Sequence, residues 1–131
     1  MTTNRIGLDS QRSKELANLL GDLLANYSTF YQNVRGYHWN IKGEKFFELH
    51  LKFEELYNDL FLKIDEVAER ILTLGHAPNH QFSEYFKQSE ISESNEVSNG
   101  IKCVEDILNA FEVLLKKQRH ILDLSGEIND E

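Results

Sequence analysis

Four polar side chains border otherwise apolar helical stripes in this sequence: His38, His50, Asp65 and Glu69. Taken singly, each has an ordinary reading. A lone histidine on an apolar face is usually a satisfied core or boundary residue, and an acidic pair at i, i+4 usually belongs to a solvated face. Together they make a His/His pair and a carboxylate pair, a donor set suited to a divalent first-row metal. Asp65 and Glu69 lie one turn apart on one helix face, the spacing at which two carboxylates share a hard cation.

The elements that must position these groups are legible in the hydrophobic pattern. From about Ser13, Leu16, Leu20, Leu23, Tyr27, Phe30 and Val34 recur at steps of three and four, the stripe of an amphipathic helix. One further step of four lands on His38. Asn40 and Gly43 break the pattern, so residues 41–43 read as a short turn. A second stripe follows: Phe46, His50, Phe53, Tyr57, Leu60, Ile64, Val67 and Ile71, stopped by Gly75 and Pro78. The turn folds the two helices antiparallel, which brings His38 and His50 together.

Residues 76–95 form a connection too long for a simple turn, and Phe82, Tyr85 and Phe86 inside it predict a short helix. A third long pattern runs from about Asn95 through Ile101, Val104, Ile107 or Leu108, Phe111, Leu114 or Leu115, Gln118 and Ile121 or Leu122, ending near Gly126. Strand-like alternation and internal repeats are missing, so the fold class is all-α. Three long helices, each roughly 40 Å, ordinarily pair with a fourth of equal length. The pattern ends in a polar turn, Ile128-Asn129-Asp130-Glu131, so the fourth helix is expected to be absent or truncated, either supplied by another chain or removed. Truncation is the favoured expectation.

Composition bounds the rest. The chain has 131 residues, 14 Lys+Arg against 22 Asp+Glu, and a formal net charge of −8. That length predicts a single domain over residues 1–131, with a short flexible N-terminal arm at 1–12. An apolar content of 40% is too rich for a disordered chain, and one Pro with seven Gly disfavours turn-dense β folds. A single cysteine, Cys103, excludes an intrachain disulfide framework and fits a reducing compartment. It falls near the apolar stripe of the third pattern and reads as a small buried hydrophobe. The acidity disfavours nucleic acid over the surface as a whole and suits attraction of cations. No apolar leader segment occurs in residues 1–13 and no run approaches 18 apolar residues, which predicts a soluble, cytoplasmic protein without a membrane partner.

Helix geometry then constrains the metal reading. His50 and Asp65 are 15 residues apart on one helix, roughly 22 Å of rise, and one metal ion cannot span that. If all four residues serve one site, the pairs must come from different chains. A two-fold axis packing the second helices antiparallel sets His38 and His50 of one subunit opposite Asp65 and Glu69 of its mate, with two identical sites per dimer. The intrachain alternative needs Glu-x-x-His motifs. The residues three before His38, His50, His76, His80 and His120 are Arg35, Phe47, Thr73, Ala77 and Lys117, so that motif is excluded. His76, His80 and His120 receive no role.

The run Tyr37-His38-Trp39-Asn40, the spacing to Phe46-Phe47-Glu48-Leu49-His50, and Asp65-Glu66-Val67-Ala68-Glu69-Arg70 leading to Leu74-Gly75 resemble the Dps, or mini-ferritin, family. The resemblance runs from about Ser13 to Glu131. It implies a ferritin-like four-helix bundle with a short helix in the long crossover, assembled as a hollow dodecamer. It implies an inter-subunit ferroxidase site in which His38 and His50 come from one subunit and Asp65 and Glu69 from the other. The resemblance further implies that iron is the metal, that Fe(II) is oxidised by hydrogen peroxide or dioxygen, and that the Fe(III) mineral is stored in the cavity, limiting oxidative damage. Glu54, with Glu55, resembles the acidic patch where iron enters or nucleates, and Leu51 stands where family members often carry an acid. Trp39 resembles the tryptophan beside the metal site, and Asp123, Glu127 and Asp130 resemble acids lining the three-fold pore.

Two competing readings follow. Some family members coat DNA, which would make the protein a nucleoid-associated structural one. Here the N-terminal arm sets Arg5, Arg12 and Lys14 against Asp9 on an acidic chain, and weak or absent DNA binding is expected. The other is a truncated helical scaffold in which the four ligands are vestigial.

Overall fold

A computed structural model describes residues 7, 9–43, 46–95 and 97–128. Helix α1 spans Ser10–Asn40, α2 Phe46–Thr73, α3 Phe82–Gln88 and α4 Gly100–Glu127. Most of the expected arm at 1–12 lies outside the described residues. The helix itself starts at Ser10, where the Asp9 carboxylate accepts the Gln11 N–H at 3.0 Å and caps the first turn.

The α1 stripe is buried along its length: Leu16, Leu20, Leu23, Tyr27, Phe30, Val34 and His38 all face inward. The α2 stripe packs against it, with Phe53, Leu60 and Ile71 buried outright. Gly75 ends α2 at φ +89°, a backbone region that side chains with a Cβ rarely adopt. The His76 N–H reaches the Ile71 carbonyl at 3.1 Å and the Gly75 N–H reaches that of Leu72 at 2.9 Å, which satisfies the last carbonyls of the helix. The turn expected from Gly75 and Pro78 is therefore where the pattern puts it.

The expectation of an absent or truncated fourth helix is corrected. Four helices are present, and the fourth in chain order, α4, runs a full 28 residues from Gly100 to Glu127. The short helix expected around Phe82, Tyr85 and Phe86 is present as α3, but ranking only the long patterns makes α4 the third. Yet α3 is a helix of the fold in its own right, docked on α1 through buried Tyr85, whose hydroxyl donates to the Asn79 carbonyl. The architecture is a ferritin-like helical bundle with a short helix in the crossover.

Two α1 asparagines hold that crossover, and the hydrophobic pattern gives no sign of them. The fully buried Asn26 Oδ1 accepts from the Ser89 hydroxyl at 3.1 Å and from the N–H groups of Glu90 and Ile91 at 3.0 and 3.2 Å. Two turns on, Asn33 donates to the Ser92 carbonyl and accepts from the Ser94 N–H, each at 2.9 Å. An extended segment laid on a helix has backbone groups that must find partners, and side-chain amides supply both donor and acceptor. Lys117 then ties α4 to both, at 2.6 Å from Asp22 and 2.8 Å from Glu90.

Helix α4 is apolar on two sides. Cys103, Ile107, Ala110 and Leu114 are buried against α1, while Ile101, Val104, Leu108, Phe111, Leu115 and Leu122 are exposed. The sequence pattern follows both lines at once, which explains its alternatives at Ile107 or Leu108 and Leu114 or Leu115. No described helix is long and apolar enough to cross a membrane.

A candidate metal site divided along the second helix

His38 sits in the last turn of α1 and His50 in the second turn of α2, with the 41–43 turn between the helices. The fold brings the two rings together, stacked with centroids 3.6 Å apart and planes 18° from parallel. Each ring is held by the other residue's backbone. The His38 Nδ1–H donates to the His50 carbonyl at 2.6 Å, and the His50 Nδ1–H donates to the His38 carbonyl at 2.8 Å. A carbonyl oxygen only accepts, so each Nδ1 carries the proton. In the neutral ring that leaves the lone pair on Nε2. This is how a metal-binding histidine is ordinarily fixed, with one nitrogen anchored by a neighbour and the other available.

Aromatic rings complete the setting. Phe46 stacks on His50 at 4.9 Å, and Tyr57 sets its edge on His38 at 5.4 Å. Tyr57 in turn meets Tyr31 edge-on at 6.0 Å. His38 is buried, His50 half-buried.

Tyr37, next to His38, packs on Phe53 and reaches toward Asp106, its hydroxyl 3.5 Å from the carboxylate. Burial, with Asp106 nearby, pushes the Tyr37 hydroxyl up to about 12. Burial does the same to the Cys103 thiol, raised to about 11. The sulfur donates to the Val97 carbonyl at 3.7 Å. A thiol so raised is protonated and unreactive at neutral pH, in keeping with the expected small buried hydrophobe.

The carboxylates lie elsewhere. Asp65 and Glu69 are exposed on one face of α2, farther along the same helix from His50. Among the described residues no group of three or more His, Cys, Asp and Glu side chains converges so as to hold a metal ion. One chain thus carries an imidazole pair at one end of α2 and a carboxylate pair toward the other.

Glu54, half-buried, lies one turn after His50 on the same helix. Glu55 is exposed and pairs with Lys52 at 3.3 Å, a solvated-face contact. Trp39 is exposed beneath the Arg35 guanidinium, whose carbon stands 4.9 Å from the ring centre. Asp123 is exposed, Glu127 pairs with Arg12 across to α1, and Asp130 lies outside the described residues. His80 and His120 are exposed and His76 half-buried. What sequence reasoning misses at the site is the reciprocal backbone bonding of the histidines. Only the tight antiparallel turn hints at it.

Comparison with known proteins agrees with the fold. The sequence matches the Ferritin family, described as a ferritin-like domain, over residues 17–131. It is 42% identical to the DNA protection during starvation protein of Porphyromonas gingivalis, across 95% of this chain and 79% of that one. An uncharacterized protein of Haemophilus influenzae is 53% identical over all of this chain and 82% of its own length. Among solved structures, the Dps protein from Vibrio cholerae O1 superposes with a TM-score of 0.96 at 55% identity, covering 99% of this chain and 82% of that one. The Dps protein from Bacillus brevis gives 0.88 at 31% identity, covering 92% and 81%.

Proposed function

The chain belongs to the Dps branch of the ferritin-like family, and on that premise we propose that it is a ferroxidase that oxidises Fe(II) at sites shared between two subunits. His38 and His50 of one subunit, with Asp65 and Glu69 of its mate, hold the iron substrate. Glu54, one turn from His50, adds a carboxylate on the imidazole side. The observation that carries this reading is the reciprocal Nδ1–H···O=C pair, which leaves two adjacent Nε2 atoms as donors.

The chemistry suits such a set. Imidazoles bind Fe(II) well, and each carboxylate added favours the harder Fe(III), so the mixed set promotes loss of an electron. Two Fe(II) each give one electron to one hydrogen peroxide. The O–O bond breaks, two protons are taken up, two waters form and two Fe(III) are left. With dioxygen as oxidant, the same two electrons and two protons yield peroxide. Consuming Fe(II) and peroxide together suppresses hydroxyl-radical formation, and Fe(III) passes to a mineral held inside a hollow oligomer, a dodecamer by family resemblance. This role is iron storage with protection from oxidative stress, in the cytoplasm.

The test follows Fe(III) absorbance after Fe(II) is added with peroxide or air. The parent oxidises Fe(II) well above buffer background, and the His50→Ala and Asp65→Ala variants do not. Equal rates in parent and variants would overturn the assignment.

A further inference from the structure

The outward stripe of α2 carries more than metal donors. Phe47 stands three residues before His50, and Leu72 three residues after Glu69. They are 77% and 57% exposed. Steps of three and four place Phe47, Glu54, Asp65, Glu69 and Leu72 on one face. The His38–His50 pair lies at the Phe47 end of α2 and the carboxylates lie at the Leu72 end. No single chain completes a metal-holding group among its described residues.

We propose that Phe47 of each chain packs on Leu72 of a second copy, closing the outer end of each shared metal site. The inference rests on the two-fold reading above and adds its register. Seating His50 opposite the partner's Glu69 in an antiparallel α2 pair fixes every other position. Glu54 falls opposite the partner's Asp65, Phe47 opposite the partner's Leu72, and the axis crosses α2 between Asp59 and Leu60. The face is then complementary to itself, as a two-fold contact requires.

The neighbouring register fails on the same residues. Seating His50 opposite the partner's Asp65 slides Phe47 over Ala68 and carries Leu72 past the start of α2, toward Gly43. Leu72 then has no apolar partner, and Phe47 meets only the small, half-buried Ala68. The Phe47–Leu72 register covers both and shuts water from the outer rim of the site, where exclusion strengthens every charge contact.

The experiment uses Phe47→Lys, Leu72→Glu and the double variant, with particle mass and Fe(II) oxidation measured on each. Both positions are exposed, so unchanged helical circular dichroism verifies folding. Either single charge, set against an apolar partner, weakens association by about ten-fold or more and lowers Fe(II) oxidation with it. The double variant makes each contact a Lys–Glu pair and restores both readouts toward the parent. Singles that associate like the parent, or a double no better than the weaker single, would overturn the register. A parent that assembles and obeys the rescue but leaves Fe(II) unoxidised would refute the ferroxidase reading and keep the contact. A parent whose oxidation depends on His50 and Asp65, with both singles unaffected, would do the reverse.

Discussion

The two ends of α2 are built to opposite rules. At the start, His50 is half-buried, stacked on His38 and Phe46, and locked by hydrogen bonds to and from the end of α1. Farther along, Asp65 and Glu69 stand exposed, two like charges one turn apart. The histidine end is organised by its own chain. Among the described residues the carboxylate end shows no comparable pair of ring-to-backbone bonds. The difference teaches where order comes from along one helix: tight antiparallel packing fixes the rings within the chain, whereas the acids stand on an open face.

The largest expected effect tests whether the halves belong together. His50→Ala and Asp65→Ala chains, each inactive alone, are mixed, dissociated and reassembled. A mixed pair has one site with both defects and one with neither, so random pairing restores about a quarter of the sites. Recovery of Fe(II) oxidation near that fraction joins the two ends across subunits. No recovery, with reassembly verified by mass, would separate them.

A smaller effect distinguishes the ends by alkaline titration. Tyr37, adjoining His38, has its folded pKa raised to about 12 from 10.0, and Cys103 is raised to about 11 from 9.0. A group raised on folding binds its proton more tightly in the native state. Its contribution is therefore full below the unfolded pKa and is lost as pH climbs through the folded one. The loss runs from pH 9 to 11 for Cys103 and from 10 to 12 for Tyr37, each about 2–3 kcal/mol. Urea midpoints across this window should fall. Amide exchange should quicken first around Tyr37 and the α1–α2 turn, and later around Asp65. A Tyr37→Phe variant that keeps the full pH dependence above pH 10 would sink the assignment.

The same division governs what the sequence discloses. The stripes through Phe30 and Leu60 follow from helical periodicity, because one buried partner face selects apolar residues at steps of three and four. The closeness of His38 and His50 follows from a turn too short to do anything but reverse the chain. That His50 and Asp65 lie too far apart on α2 to meet one ion within a chain follows from rise per residue alone. The α4 pattern misleads because Ile101, Leu108 and Leu115 are apolar on an exposed line beside the buried Ile107 and Leu114, and periodicity cannot tell the two lines apart. The short helix is legible in Phe82, Tyr85 and Phe86, and the tally goes wrong only in treating the pattern that ends near Gly126 as the third of four instead of as the fourth helix of the chain. The asparagine clamps at 26 and 33 are invisible because a buried amide is chosen by the backbone groups of a distant segment, which no local pattern records.

DNA association sets a further contrast, between the acidic body and the Arg5, Arg12 and Lys14 arm. With a net charge of −8, retention in a gel shift is expected to be weak and to vanish by physiological salt, since counterion release requires several basic contacts. Tight, salt-sensitive retention would instead assign the arm a nucleic-acid role.

The smallest effect bears most directly on why the ends differ. Asp65 and Glu69 repel each other at i, i+4, which costs an isolated helix about 0.2–0.5 kcal/mol. Asp65→Asn or Glu69→Gln removes that repulsion, so each should leave chemical stability unchanged or raise it by a few tenths in metal-free protein. Substituting His38 by Ala removes a buried ring and its bond to the His50 carbonyl, with an expected loss of about 1–3 kcal/mol. If instead the two acid variants destabilise the metal-free chain as much as His38→Ala does, the carboxylates are structural groups of one subunit. A neutral or stabilising result, with loss of Fe(II) oxidation, means that the acids are kept against the interest of the fold, for an ion that the chain meets only in company.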